Sequence, residues 1–79
     1  QLYVRQFQLP KDSKISIHIY DTSGRLIKKL LSNVSYEIGE HIVVWDATND
    51  YNHKVASGMY LYRFVANKFV KTGKMILVK

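Results

Sequence analysis

Three histidines, His18, His41 and His53, are the side chains of this 79-residue chain suited to act as bases or nitrogen ligands near neutral pH. No two have the short spacing of a zinc-binding helix. His18 and His41 fall among alternating apolar residues and His53 in a polar stretch, so surface or strand-pairing roles account for all three. Asp46, Asn49, Asp50 and Asn52 crowd oxygen atoms into one segment, which is calcium chemistry. The segment lacks the glycine and the closing glutamate of a calcium loop, and Asx turns explain the same composition. Glu37 and Glu40 form a carboxylate pair of the kind that general acid–base catalysis uses. A hairpin rim serves equally well. Ser57 lies in Ala56-Ser57-Gly58 rather than a Gly-x-Ser-x-Gly elbow, and no phosphate-cradling loop is present. Tyr3, Tyr20, Tyr36, Tyr51, Tyr60 and Tyr62 with Trp45 contain the rings for a sugar-stacking platform. Trp45, Tyr60 and Tyr62 are better used as core, which leaves Tyr36 and Tyr51 as the exposed pair. Without a set of acid, base and nucleophile, the chain is expected to be no enzyme and to need no cofactor.

The elements that position these residues read as strands. Gly39 to Tyr62 organises them: a strand ending in the single tryptophan, a loop too polar to bury, and a strand carrying Tyr60 and Tyr62 at alternate positions. Leu2 to Leu9 is strand-like, with Tyr3, Phe7 and Leu9 on one parity and Arg5 interrupting it. Pro10 ends it, having no N–H for a ladder. From Lys14 to Tyr20, Ile15, Ile17 and Ile19 alternate with polar residues, the mark of a half-buried strand. Asp21 to Gly24 has the ends of a type I turn. Leu26, Ile27, Leu30 and Leu31 fall at helical spacing, but a helix of seven residues is marginal. Arg25 to Leu31 is therefore expected to be a strand with an irregular end, and Ser32 to Ile38 a connection. Apolar residues on both parities of Glu40 to Trp45 predict a central strand. Met59 to Ala66 is the longest strand, Asn67-Lys68 a tight hairpin turn, and Phe69 to Val78 the return. Gly73 is a natural bulge there, and the register of that last hairpin stays open. The expected fold is an all-β, immunoglobulin-like antiparallel sandwich of about six or seven strands. Its core draws on Ile15, Ile17, Ile19, Val43, Trp45, Tyr60 and Tyr62.

A chain this short makes one domain, residues 1–79, and buries only about 60% of its unfolded surface. The absence of cysteine excludes disulfides and a cysteine zinc site. Twelve Lys and Arg against six Asp and Glu give a net charge of +6. Such a balance attracts acidic partners, although lysines also keep edge strands soluble. The cations are scattered along the chain, with none of the density of a nucleic-acid patch. No stretch is long enough to span a membrane, so neither nucleic acid nor membrane insertion is expected. The chain starts at Gln1, which suggests a piece of a longer polypeptide.

One set of residues carries a resemblance: Ile15 to Arg25, Gly39-Glu40-His41, Trp45-Asp46, Ala56 to Arg63 and Lys74 to Lys79. Together they resemble the immunoglobulin-like domain of the bacterial flagellar hook-capping protein. They also resemble the C-terminal sorting domain of proteins exported by the type IX secretion system. Arg5 falls where the family usually has an aliphatic residue, and the long loop after Asp46 is closer to the hook-cap form. The resemblance implies a non-catalytic C-terminal sorting domain of an exported bacterial protein, secreted or at the cell surface by way of the periplasm. The translocon would read the last hairpin, with Gly58 and Tyr60 setting its start and Lys74 and Lys79 offering charge. The alternative is a hook-cap-like module for assembling subunits or neighbouring domains, and behind it a carbohydrate-binding module. Its partner is in either leading case a protein.

Overall fold

The structure, a computed structural model, describes residues 3–78. Leu2 and Lys79, assigned above to the first strand and to recognition, lie outside them. The described residues form six strands: β1 (Tyr3–Leu9), β2 (Ser13–Tyr20), β3 (Leu26–Tyr36), β4 (Gly39–Trp45), β5 (Gly58–Ala66) and β6 (Phe69–Leu77). β1 and β4 pair antiparallel as one sheet, and the other sheet has the order β3-β2-β5-β6. All pairings are antiparallel. The two sheets face each other as a small immunoglobulin-like β-sandwich, as the sequence predicts.

Period-two spacing decides which side chains enter the space between the sheets. β2 contributes Ile15, Ile17 and Ile19, β4 Val43 and Trp45, and β5 Tyr60, Tyr62, Phe64 and Ala66, all buried. They gather in two clusters. Leu9, Ile15, Ile17, Val43, Tyr62, Phe64 and Ala66 form one, and Ile19, Trp45, Ala47, Tyr60 and Leu77 the other. Leu30 and Met75 pack against both. Rings meet edge-on, Trp45 with Tyr60 at 5.5 Å and Phe7 with Phe64 at 5.1 Å between centroids, the arrangement their quadrupoles favour.

Five expectations need correction. The connection expected over Ser32 to Ile38 is strand as far as Tyr36. The longest strand is therefore β3, with 11 residues, and not the strand holding Met59 to Ala66, with 9. Against β2, β3 supplies an extra residue between the pairs Ile15↔Val34 and Ile17↔Leu31, again before His18↔Lys29, and again before Tyr20↔Leu26. These bulges break the period of two, which is why Leu26 to Leu31 mimics a helix. At the first of them Asn33 takes a φ of 55° and donates its N–H to Ser16 Oγ at 2.9 Å.

Gly73 makes no bulge, because the β5–β6 ladder runs unbroken from Gly58↔Leu77 to Ala66↔Phe69. That register turns Gly73, Met75 and Leu77 inward and Val70 and Ile76 outward. The Tyr62 ring lies over Gly73, where a Cβ would come within 2.5 Å of its Cζ.

β4 is not central. It pairs with β1 alone among the described residues, and Ile42 and Val44 on its outer face are 61% and 44% exposed. The loop after Trp45 is not wholly outside either, since Ala47 and Thr48 are buried. The Trp45 indole N–H donates to the Thr48 carbonyl at 2.9 Å, which draws the loop's start into the core.

Candidate functional site

Three of the four side chains proposed for calcium, Asp46, Asn49 and Asp50, accept hydrogen bonds from the chain's own N–H and hydroxyl groups. Asp46 Oδ1 accepts from Thr48 Oγ1 at 2.6 Å and from its N–H at 3.2 Å. The Thr48 hydroxyl is the main reason the Asp46 carboxyl lies below its ordinary pKa, with Lys28 and Lys54 adding to the effect. Asn49 Oδ1 accepts the N–H groups of Tyr51 and His53 at 2.9 and 3.0 Å. Asn52 takes a left-handed φ of 63° and donates its N–H to the Asn49 carbonyl. These are the Asx turns that the composition allowed.

Asp50 does something the sequence did not disclose. Its carboxylate accepts the Lys29 N–H at 3.1 Å while its own N–H donates to the Ile27 carbonyl at 3.1 Å. It thereby stands where a further strand would pair with β3. Lys28 Nζ donates to the Asn49 carbonyl at 3.1 Å and holds the loop there. One stretch of the four-stranded sheet's β3 edge, at Ile27 and Lys29, is thus covered by the chain itself.

The remaining candidates scatter. His41 packs against Tyr36 and Phe7, its Nε2 donating to the Glu37 carbonyl at 2.6 Å. His18 lies beside Tyr20 on the outer face of β2, and His53 is in the exposed loop. Glu37 and Glu40 stand exposed at the β3–β4 connection. The Tyr36–Tyr51 platform does not form. Tyr36 is half-buried, edge-on to Phe7 at 5.7 Å, whereas Tyr51 is 80% exposed in the loop. Among the recognition residues, Tyr60, expected to set the start of the last hairpin, is buried. Its hydroxyl donates to the Ala56 carbonyl at 2.6 Å, bracing the entry to β5, and burial pushes its pKa up. Gly58 opens β5 with a φ of 147° that favours glycine. Lys74 is exposed on the outer face of β6, opposite Leu61.

What the fold does bring together lies between the sheets on the β1 side. β1 is paired only with β4 among the described residues, and beside its other edge runs a groove of about 860 Å³. The first half of β6 forms part of the groove's floor. There the inward-facing Phe69 is 59% exposed and Lys71 is exposed, while Leu77 further along the same face is buried. The two-stranded sheet stops short of covering that half. Arg5, which interrupted the parity of β1, points inward: its guanidinium lies 4.3 Å from the centre of the Tyr62 ring and donates to the Tyr62 hydroxyl. It caps a cavity of about 100 Å³ lined by Leu30, Val43 and Met75. A cation over an aromatic face explains how arginine serves at an inward position of β1.

Compared with known proteins, residues 5–68 match the model of the family described as FlgD Ig-like domain. That span runs from β1 to the β5–β6 turn, and β6 lies beyond it. No curated protein and no solved structure matches the chain significantly.

Proposed function

The chain belongs to the FlgD Ig-like domain family, and from that premise we propose that it is a non-catalytic module that docks with neighbouring protein subunits or domains at a bacterial cell surface. The observation that carries this reading is the unequal treatment of the sheet edges. The β3 edge is covered at Ile27 and Lys29 by Asp50 and its loop, whereas the β1 edge borders an open groove along Arg5 to Leu9. An uncovered edge presents unpaired N–H and C=O groups to another chain. The separation of the three histidines and the use of the loop carboxylates in the chain's own hydrogen bonds support a role without catalysis.

A photoreactive amino acid in place of Gln8 on β1, compared with one in place of Tyr51 in the covered loop, tests the reading in the native cell. Discrete adducts with one neighbouring protein from position 8, and none from position 51, are expected. Adducts of equal yield from both, or none from either, would refute it.

A second reading, export through the type IX translocon, is supported by the run Lys74-Met75-Ile76-Leu77-Val78-Lys79 and by the exposure of Lys74. Fused to a periplasmic reporter in a host with that translocon, the 79 residues would carry it outside. Retention of the reporter, or export unchanged by deleting residues 74–79, would dismiss this reading.

A further inference from the structure

We propose that the groove beside β1 takes an extended acidic segment of a partner protein, bound as a third strand of the two-stranded sheet. The inference rests on the docking role above and names the chemistry of its partner. The groove has the form of a missing strand. β1 offers a ladder edge along one side, and the β5–β6 hairpin, with inward-facing Phe69 and Lys71 uncovered, forms the floor. Neighbouring strands lie about 4.8 Å apart, so a chain paired to β1 would run directly over that floor.

The floor is aromatic where it is open. Phe69, 59% exposed, ends a row of rings that runs through buried Phe64 to Phe7 on β1 at centroid distances of 6.4 and 5.1 Å. Alternate side chains of an added strand would face Phe69 and the rim of that row, which calls for apolar residues at every second position. The rim is cationic: Lys11, Lys68 and Lys71 border the groove, Arg5 adds its charge from its place over Tyr62, and among the described residues no Asp or Glu lines it. They come from both ends of the chain and lie together only in the fold. Carboxylates at or beside the intervening positions would meet them. A second copy of the chain is a poor occupant, because it brings a charge of +6 and the same four cations. A single-stranded nucleic acid could use the rings and the charges, but its backbone cannot continue the N–H and C=O ladder of β1.

The test is an amide-resolved NMR titration of the 79-residue chain with a capped octapeptide alternating Glu and Val. The same peptide with Gln or Lys for Glu, and an oligothymidylate, serve as the other arms. Expected are shifts confined to Gln6 to Leu9 and Phe69 to Lys71, and binding that weakens as salt is added. The double variant Lys68→Glu/Lys71→Glu should weaken the Glu peptide about ten-fold. Its amide spectrum reports independently that the sandwich is intact. Equal binding of the Gln or Lys peptide would overturn the acidic preference, and tighter binding of the oligothymidylate would overturn the choice of a protein segment. Shifts on Leu61 and Ile76 instead would overturn the location. Adducts from position 8 in cells without any peptide binding would reject this inference while leaving the docking role standing.

Discussion

Single residues here do their work by satisfying the backbone. Asp21 accepts four bonds across the β2–β3 turn, from Ser23 Oγ at 2.7 Å, Ser23 N–H at 3.0 Å, Arg25 N–H at 2.9 Å and Arg25 Nε at 3.2 Å. These donors, led by the Ser23 hydroxyl, hold its pKa at about 2 against an ordinary 3.8. A carboxyl whose pKa is lower in the folded than in the unfolded chain stabilises the fold above the unfolded value. That contribution is lost as pH falls through the folded one. The loss should therefore run between pH 3.8 and about 2. Asp21→Asn should be less stable than the parent at neutral pH and should lose less stability across that window. Urea midpoints measured from neutral to strongly acid pH would show the two curves converging. Parallel curves would mean that Asp21 does not carry the effect.

At the scale of the strand, two positions show how neighbours override local preference. Gly73 pairs with Tyr62, and a methyl group there would sit 2.5 Å from the ring and its hydroxyl oxygen. The ring is buried and held by Arg5, so it cannot swing away freely. Gly73→Ala should cost about 2 kcal/mol, within the range for overpacking. The cost should shrink in a Tyr62→Leu background, as chemical denaturation of the four variants would reveal. Asp50 does the opposite service by covering β3. Asp50→Ala leaves the Lys29 N–H without its acceptor and should lower stability by about 1 kcal/mol. It also bares an edge, so sedimentation should detect self-association that grows with concentration and is weaker in the parent.

Across the whole molecule, the two core clusters are tied by Leu30 and Met75. Neither can open without stripping contacts from the other, so they should melt together. Trp45 fluorescence follows one cluster and far-ultraviolet circular dichroism follows all strands. Their thermal transitions should coincide. An earlier Trp45 transition would mean that the cluster holding Tyr60 and Leu77 unfolds by itself. The ladders that close the sandwich join residues far apart in the chain, Tyr3 with Trp45 and Ile15 with Ala66. Folding on the order of milliseconds to seconds is the usual consequence of such topology.

Local geometry made much of this legible from the sequence alone. The pleat puts alternate residues on opposite faces, so the isoleucines of β2 and the rings of β5 announce their side without any partner. Asn67, with a φ of 55°, marks its hairpin turn for the same reason. The irregular β3 hid its length because its period depends on slippage against β2. Which edge is covered, why Arg5 points inward, and how scattered cations come to share one groove were settled only in three dimensions. Each of these depends on residues brought together by pairing between distant segments, and a side chain's own neighbours in sequence hold no record of the strand that will lie beside it.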